Sequence, residues 1–147
     1  MKATNFIIII AFSIIMFSCG DPTRSQLDEI AKDTEKIELY VGNTALLHEM
    51  LRQGIAEGKP LVTFTNKDNI AGNLLKYISD EATPEYKCGS DGMFKFIAGG
   101  KVIFELEFKL SKDCRHFAFA ADGKAQFRKI TPEGLKYFSE MLKVDGM

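Results

Sequence analysis

Two histidines and three cysteines in 147 residues leave little from which to build an active site. Only His48 and His116 carry side chains that exchange a proton near neutral pH. His48 falls beside Glu49 and Arg52 on the polar side of a candidate helix, and His116 on the open face of a candidate strand, so both read as structural or solvated. No Cys-x-x-Cys pair supports disulfide exchange, and no close pair of cysteines or histidines has the usual spacing of a zinc site. A Gly-rich phosphate cradle, a metalloprotease helix and a calcium loop are all missing. Gly89-Ser90-Asp91-Gly92 lacks the spacing and the strand-to-helix setting of a nucleophile elbow, and reads as a turn entering a strand. Nineteen basic and 20 acidic residues are interspersed, with no basic block to suggest nucleic acid or lipid headgroups. There is no internal repeat.

Long apolar runs are also scarce, with one exception. Phe6 to Phe17 follows Lys2 and is closed by Gly20, Asp21 and Pro22. It has the basic start and the apolar stretch of about 7 to 15 residues of a secretory signal, and falls short of the roughly 20 residues that span a bilayer. At its end, Phe17-Ser18-Cys19-Gly20 resembles the lipobox of bacterial lipoproteins. The resemblance implies a signal peptide over residues 1–18, cleavage before Cys19, a diacylglycerol on its sulfur, an acylated N-terminus, and a tether over residues 19–26. An ordinary secreted chain cut near Ser18 to Gly20, or an uncleaved anchor, is the alternative. Several acyl chains hold a protein stably where one binds only marginally. Gly20 stands where an acidic residue would favour the inner membrane, which points to the outer one.

Removal of the signal peptide leaves about 130 residues, the size of one domain, here 27–147. Loss of Lys2 takes the formal charge from -1 to -2. With Cys19 lipidated, Cys88 and Cys114 remain as an even pair in an oxidising compartment, and a disulfide between them is expected. It would close a loop of about 25 residues, worth roughly 3 kcal/mol by chain-entropy arguments. The sharper alternative is a small metal-binding or redox protein that uses Cys88, Cys114 and His116, the last two on one face of a strand.

Leu27, Ile30, Thr34, Ile37 and Val41 recur at spacings of three and four and predict a helix ending near Gly42-Asn43. A strand through Ile37, Leu39 and Val41 fits the same residues. Leu46, Leu47, Met50, Leu51 and Ile55 mark a second helical face, stopped by Gly58-Lys59-Pro60. Leu61 to Thr65 reads as a strand, and Ile70, Leu74 and Ile78 as one face of a helix. From Cys88 the period changes to two. Val102, Phe104, Leu106, Phe108 and Leu110 alternate with Ile103, Glu105, Glu107 and Lys109, the pattern of a sheet covered on one side. Phe94 and Phe96, Phe117 and Phe119, and Ala125 and Phe127 belong to neighbouring strands. Face matching favours three-residue loops at Ala98-Gly99-Gly100 and Ala121-Asp122-Gly123, setting Phe94 opposite Phe104 and Phe117 opposite Phe127. Thr131-Pro132-Glu133 starts a final helix, with Leu135, Phe138, Met141 and Leu142 facing inward.

The expected class is α+β: N-terminal helices, then β-α-β(4-5)-α, with an antiparallel meander covered by helices on one face. The order from Leu61 to about residue 143 resembles that of TATA-binding-protein-like folds and secreted β-lactamase inhibitory proteins. Order alone implies no function. Lys95, Lys109 and Arg128 are expected to pair with Glu105 and Glu107 across the open face. The functional expectation is a lipid-anchored, non-enzymatic envelope module without a cofactor. It would meet the membrane through its anchor and a protein, peptide or envelope polymer through Glu105, Glu107 and Lys109, with Ile97, Ala118 and Ala120 nearby; nucleic acid is not expected as a partner.

Cells fed labelled palmitate should incorporate label into the full chain and none into Cys19→Ser. An unlabelled wild type would refute the lipidation.

Overall fold

The computed structural model describes residues 22–42 and 58–142. Residues 1–18, expected as a signal peptide, Cys19, and the helix expected around Leu46 to Ile55, with His48, lie outside the described residues. In chain order come helix α1 (Pro22–Asp33), strands β1 (Lys36–Val41) and β2 (Val62–Thr65), and a 3-10 turn (Lys67–Asn69) that runs into helix α2 (Ile70–Leu75). Strands β3 (Ile78–Ala82), β4 (Gly92–Ala98), β5 (Lys101–Lys109), β6 (His116–Ala121) and β7 (Lys124–Ile130) follow, then helix α3 (Pro132–Leu142). The strands form one seven-stranded sheet in the order β2-β1-β4-β5-β6-β7-β3, antiparallel at every pairing. The fold is α+β.

Period-two alternation decides which face is covered. Ile37 and Leu39 of β1, Phe94 and Phe96 of β4, Phe104, Leu106 and Phe108 of β5, and Phe117 and Phe119 of β6 share the face beneath the helices. Leu27 and Ala31 of α1, Leu74 and Leu75 of α2, and Phe138 and Leu142 of α3 complete one core. Phe138 is the hub of the aromatic packing. Its ring stacks on Phe108 at 5.5 Å and lies 5.8 Å from Phe94 and 5.7 Å from Phe117. Thr131 positions it by capping α3, its hydroxyl oxygen accepting from the Gly134 amide at 3.1 Å, as the Thr-Pro-Glu signal requires.

Near the N-terminus the sequence reading needs correction. Residues 22–26, expected as tether, are the first turns of α1, where Arg24 donates to the Ile78 carbonyl at 2.8 Å and pairs with Asp80 at 2.9 Å. The helix expected to reach Val41 ends at Asp33, and β1 takes its place. Period two wins because β1 lies between β2 and β4, where Ile37 and Leu39 are fully buried and the residues between them face the other way. Asn66 secures the break, donating to the carbonyls of Ala31 and Thr34 at 3.2 and 2.7 Å while its side-chain oxygen accepts from the Ala71 amide at 2.8 Å. Ile78 likewise opens β3 and is not on α2.

Both hairpins turn on two residues, not three. Ala98 pairs with Lys101 and Ala121 with Lys124, and Gly99, Gly100, Asp122 and Gly123 all have positive φ. Two consecutive left-handed residues match the right-handed twist of the flanking strands, and glycine and aspartate tolerate that geometry. In the first hairpin a bulge restores the apolar match: Ile97 faces Val102 and Phe96 faces Phe104, leaving Ile103 over. Phe94 consequently lies opposite Leu106, and Val102, expected inside, is 47% exposed. In the second hairpin Phe117 faces Arg128, and Phe127 faces Ala118 on the uncovered side.

Phe138→Ala should lower the unfolding free energy by about 3 to 5 kcal/mol in urea titrations. A loss below about 1 kcal/mol would show that the hub is dispensable.

Candidate functional site

The face of the sheet that no described helix covers has two unlike ends. At one end the segment before β4 is locked to the end of β5 and to the loop that follows it. Asp91, buried just before β4, accepts from the Leu110 amide at 2.8 Å and from the Lys109 ammonium at 2.7 Å, and its own amide donates to the Phe108 carbonyl at 2.8 Å. A disulfide joins Cys88 to Cys114, their Cα atoms 6.4 Å apart, and ties the segment before β4 to the loop after β5. His116 lies beside it and is only 5% exposed, with its ring centroid 5.4 Å from that of Tyr86 and 5.9 Å from that of Phe127. Its Nδ1 sits 2.7 Å from the Cys114 carbonyl oxygen, which can only accept, so Nδ1 carries the proton.

Toward the other end β5 and β6 separate. Pairing covers Lys109 with His116, Phe108 with Phe117 and Glu107 with Ala118, and goes no further. β5 nevertheless runs on to Lys101 and β6 to Ala121. Between them opens a groove of about 820 Å³. Phe104 and Phe119, their ring centroids 5.7 Å apart, form its floor. Ile103 and Glu105 line one wall, Ala118, Ala120 and Phe127 the other, and Lys124 stands at the mouth. Val102 and Ile103, at 47% and 41% exposure, are the exposed large hydrophobic residues among those described.

The structure divides the residues expected to form one surface. Glu105 and Glu107 line the groove together with Ala118 and Ala120. Lys109 is drawn away to Asp91, and Ile97 is buried. Lys95 pairs with Glu105 at 3.4 Å, as cross-strand neighbours of opposite charge should. Arg128 shares the face of Phe117 and donates to the Asp80 carbonyl, so it does not meet the acids. Phe127 and Lys124 are the site residues that sequence reading missed. The Asp122-Gly123 pair was the available signal, because Asp-Gly favours a two-residue hairpin turn, and that register moves Phe127 to the open face.

Farther along the same face, Glu38 accepts from the Lys36 ammonium and the Tyr40 hydroxyl, both at 2.8 Å. These bonds hold its carboxyl below the ordinary glutamate range. The bond to Glu38 raises the Tyr40 hydroxyl, over whose ring Lys95 sits at 4.9 Å. This cluster satisfies itself internally. The disulfide consumes both sulfurs of the alternative metal or redox set, leaving His116 as its remaining donor. Among the described residues, no group of three or more histidines, cysteines, aspartates or glutamates is placed to hold a metal ion.

The two ion pairs should differ sharply in worth. Asp91→Ala strands a largely buried ammonium and should cost about 3 kcal/mol, whereas Glu105→Gln at an exposed pair should cost less than about 1 kcal/mol. Denaturant unfolding of the two variants measures both, and equal losses would contradict the assignment of Asp91 as the clamp.

No protein-family model matches this chain, and the searches of curated proteins and of solved structures returned no match.

Proposed function

We propose that this chain is a lipid-anchored, non-enzymatic binding module of the cell envelope that receives its partner in the groove between β5 and β6. The observation that carries the reading is the early end of the β5-β6 ladder, which leaves a groove with a built floor beside two exposed apolar side chains. Concave surface with apolar walls and a few convergent charged groups is a common setting for ligand binding. The side chains around the groove are suited to holding a partner. Ile103, Phe127 and three alanines offer apolar contact, and Glu105, Glu107 and Lys124 offer charge for orientation. The anchor fits the same picture. α1 begins at Pro22, so an acylated Cys19 would lie within roughly 10 Å of the folded domain by the reach of an extended chain. A module held so close would meet partners in the membrane or in the layer next to it.

A photo-crosslinking side chain at position 120, in cells making the full chain, should trap a partner that the same group at the exposed Lys32 on α1 does not. Ala120→Arg fills the groove without touching the core and should weaken that partner's binding at least tenfold, about 1.4 kcal/mol, with unchanged unfolding. Capture that is equal from both positions, or insensitive to Ala120→Arg, would refute the groove as the site.

A further inference from the structure

The backbone on either side of the groove points to the class of its occupant. Along a strand, successive residues direct their amide and carbonyl groups alternately to the two neighbouring strands. The Phe108 carbonyl accepts from the Asp91 amide on the β4 side. Phe108, Leu106 and Phe104 therefore serve β4, and Lys109, Glu107 and Glu105 turn toward β6. By the same register His116, Ala118 and Ala120 of β6 turn toward β5, and Phe117, Phe119 and Ala121 toward β7. Lys109 and Glu107 find their partners, and the ladder stops before Glu105 would meet Ala120. The amides and carbonyls of these two residues face the groove from opposite sides with no ladder partner.

The side chains add a charge requirement. Glu107 stands where the groove closes, and among the described residues no cation lies within ion-pair distance of it. Lys95 is committed to Glu105 and Lys109 to Asp91, and Lys124 stands at the mouth of the groove, away from Glu107. Alanines at 118, 120 and 125 keep the wall low, and Phe104 and Phe119 close the floor below. A strand advances about 3.3 Å per residue, so the unpaired length of β5 accommodates a segment of about five residues.

We propose that the groove takes an extended peptide segment that adds as a strand against the free backbone of Glu105 and Ala120, with a basic side chain set against Glu107. The inference rests on the groove reading above and names its ligand class. Main-chain hydrogen bonds supply the affinity of such strand addition, and the side-chain contacts supply the selection.

The test uses the full chain in detergent and a fluorescent seven-residue peptide of alternating valine and threonine with lysine at each end. Anisotropy should show saturable binding. N-methylation of every second peptide amide should weaken it at least tenfold, as should Glu107→Gln, an exposed change that leaves unfolding unaltered. Hydrogen exchange at the amides of Glu105 and Ala120 should slow when the peptide is bound. A peptide that does not bind, or binds equally well when N-methylated or ended with glutamate, overturns the proposal. So does concentration-dependent pairing of the chain that slows the same amides without peptide, because the occupant is then a second copy. If position 120 still traps a partner while the peptide fails, strand addition falls and the groove reading stands. If Ala120→Arg leaves capture unchanged, the groove reading itself falls.

Discussion

The packing of Phe138 against the phenylalanines of three strands is the interaction on which the rest of the molecule depends. One helix brings one ring to the place where Phe94, Phe108 and Phe117 converge, and this decides which face of a seven-stranded sheet is withdrawn from water. Burial of an aromatic side chain and its ring contacts is worth several kcal/mol, a large fraction of a domain's net stability. Because side chains alternate, choosing that face for Phe108 also sends Glu105, Glu107 and Lys109 to the other. The open face is thus a consequence of the core.

Given that face, the groove follows from an imbalance between its two ends. Near Lys109 and His116 three ladder pairs hold β5 to β6, while a disulfide and an ion pair tie the end of β5 and the loop after it to the segment before β4. Toward the hairpin tips there is no comparable restraint, and Ile103 adds a residue to β5. A bulge increases local twist and turns a strand away from its neighbour, which accounts for the separation above Glu107. The rings of Phe104 and Phe119 keep contact beneath the opening, so the core stays closed while the backbone edges above it do not pair.

Much of this was legible in the chain. The long alternation of β5, the helix start at Thr131 and the partnership of Cys88 with Cys114 each rest on local chemistry that no distant contact reverses. What misled was the interplay of period and register. Ile37 and Val41 fit a helix as well as a strand, and the decision came from Phe94, Phe96 and Phe64, which are far away in sequence. In the hairpins, matching apolar faces by loop length alone assumed uninterrupted strands. The bulge at Ile103 satisfied the same matching with a shorter turn, exposing Val102. In the second hairpin Arg128 was placed opposite Phe117, and Phe127 was released to the groove. Lys109 appeared available because Asp91, its partner, lies 18 residues earlier in a segment that reads only as a turn.

By itself, then, the sequence determined the covered sheet, its meander and its disulfide, because hydrophobic period, capping residues and cysteine count act locally or by simple pairing. Only the tertiary structure decided which acids stand free, which lysine is buried in an ion pair, and where two neighbouring strands stop pairing. Those outcomes depend on register, and register is a property of two strands at once, set by turns, bulges and a helix that lies on top of both.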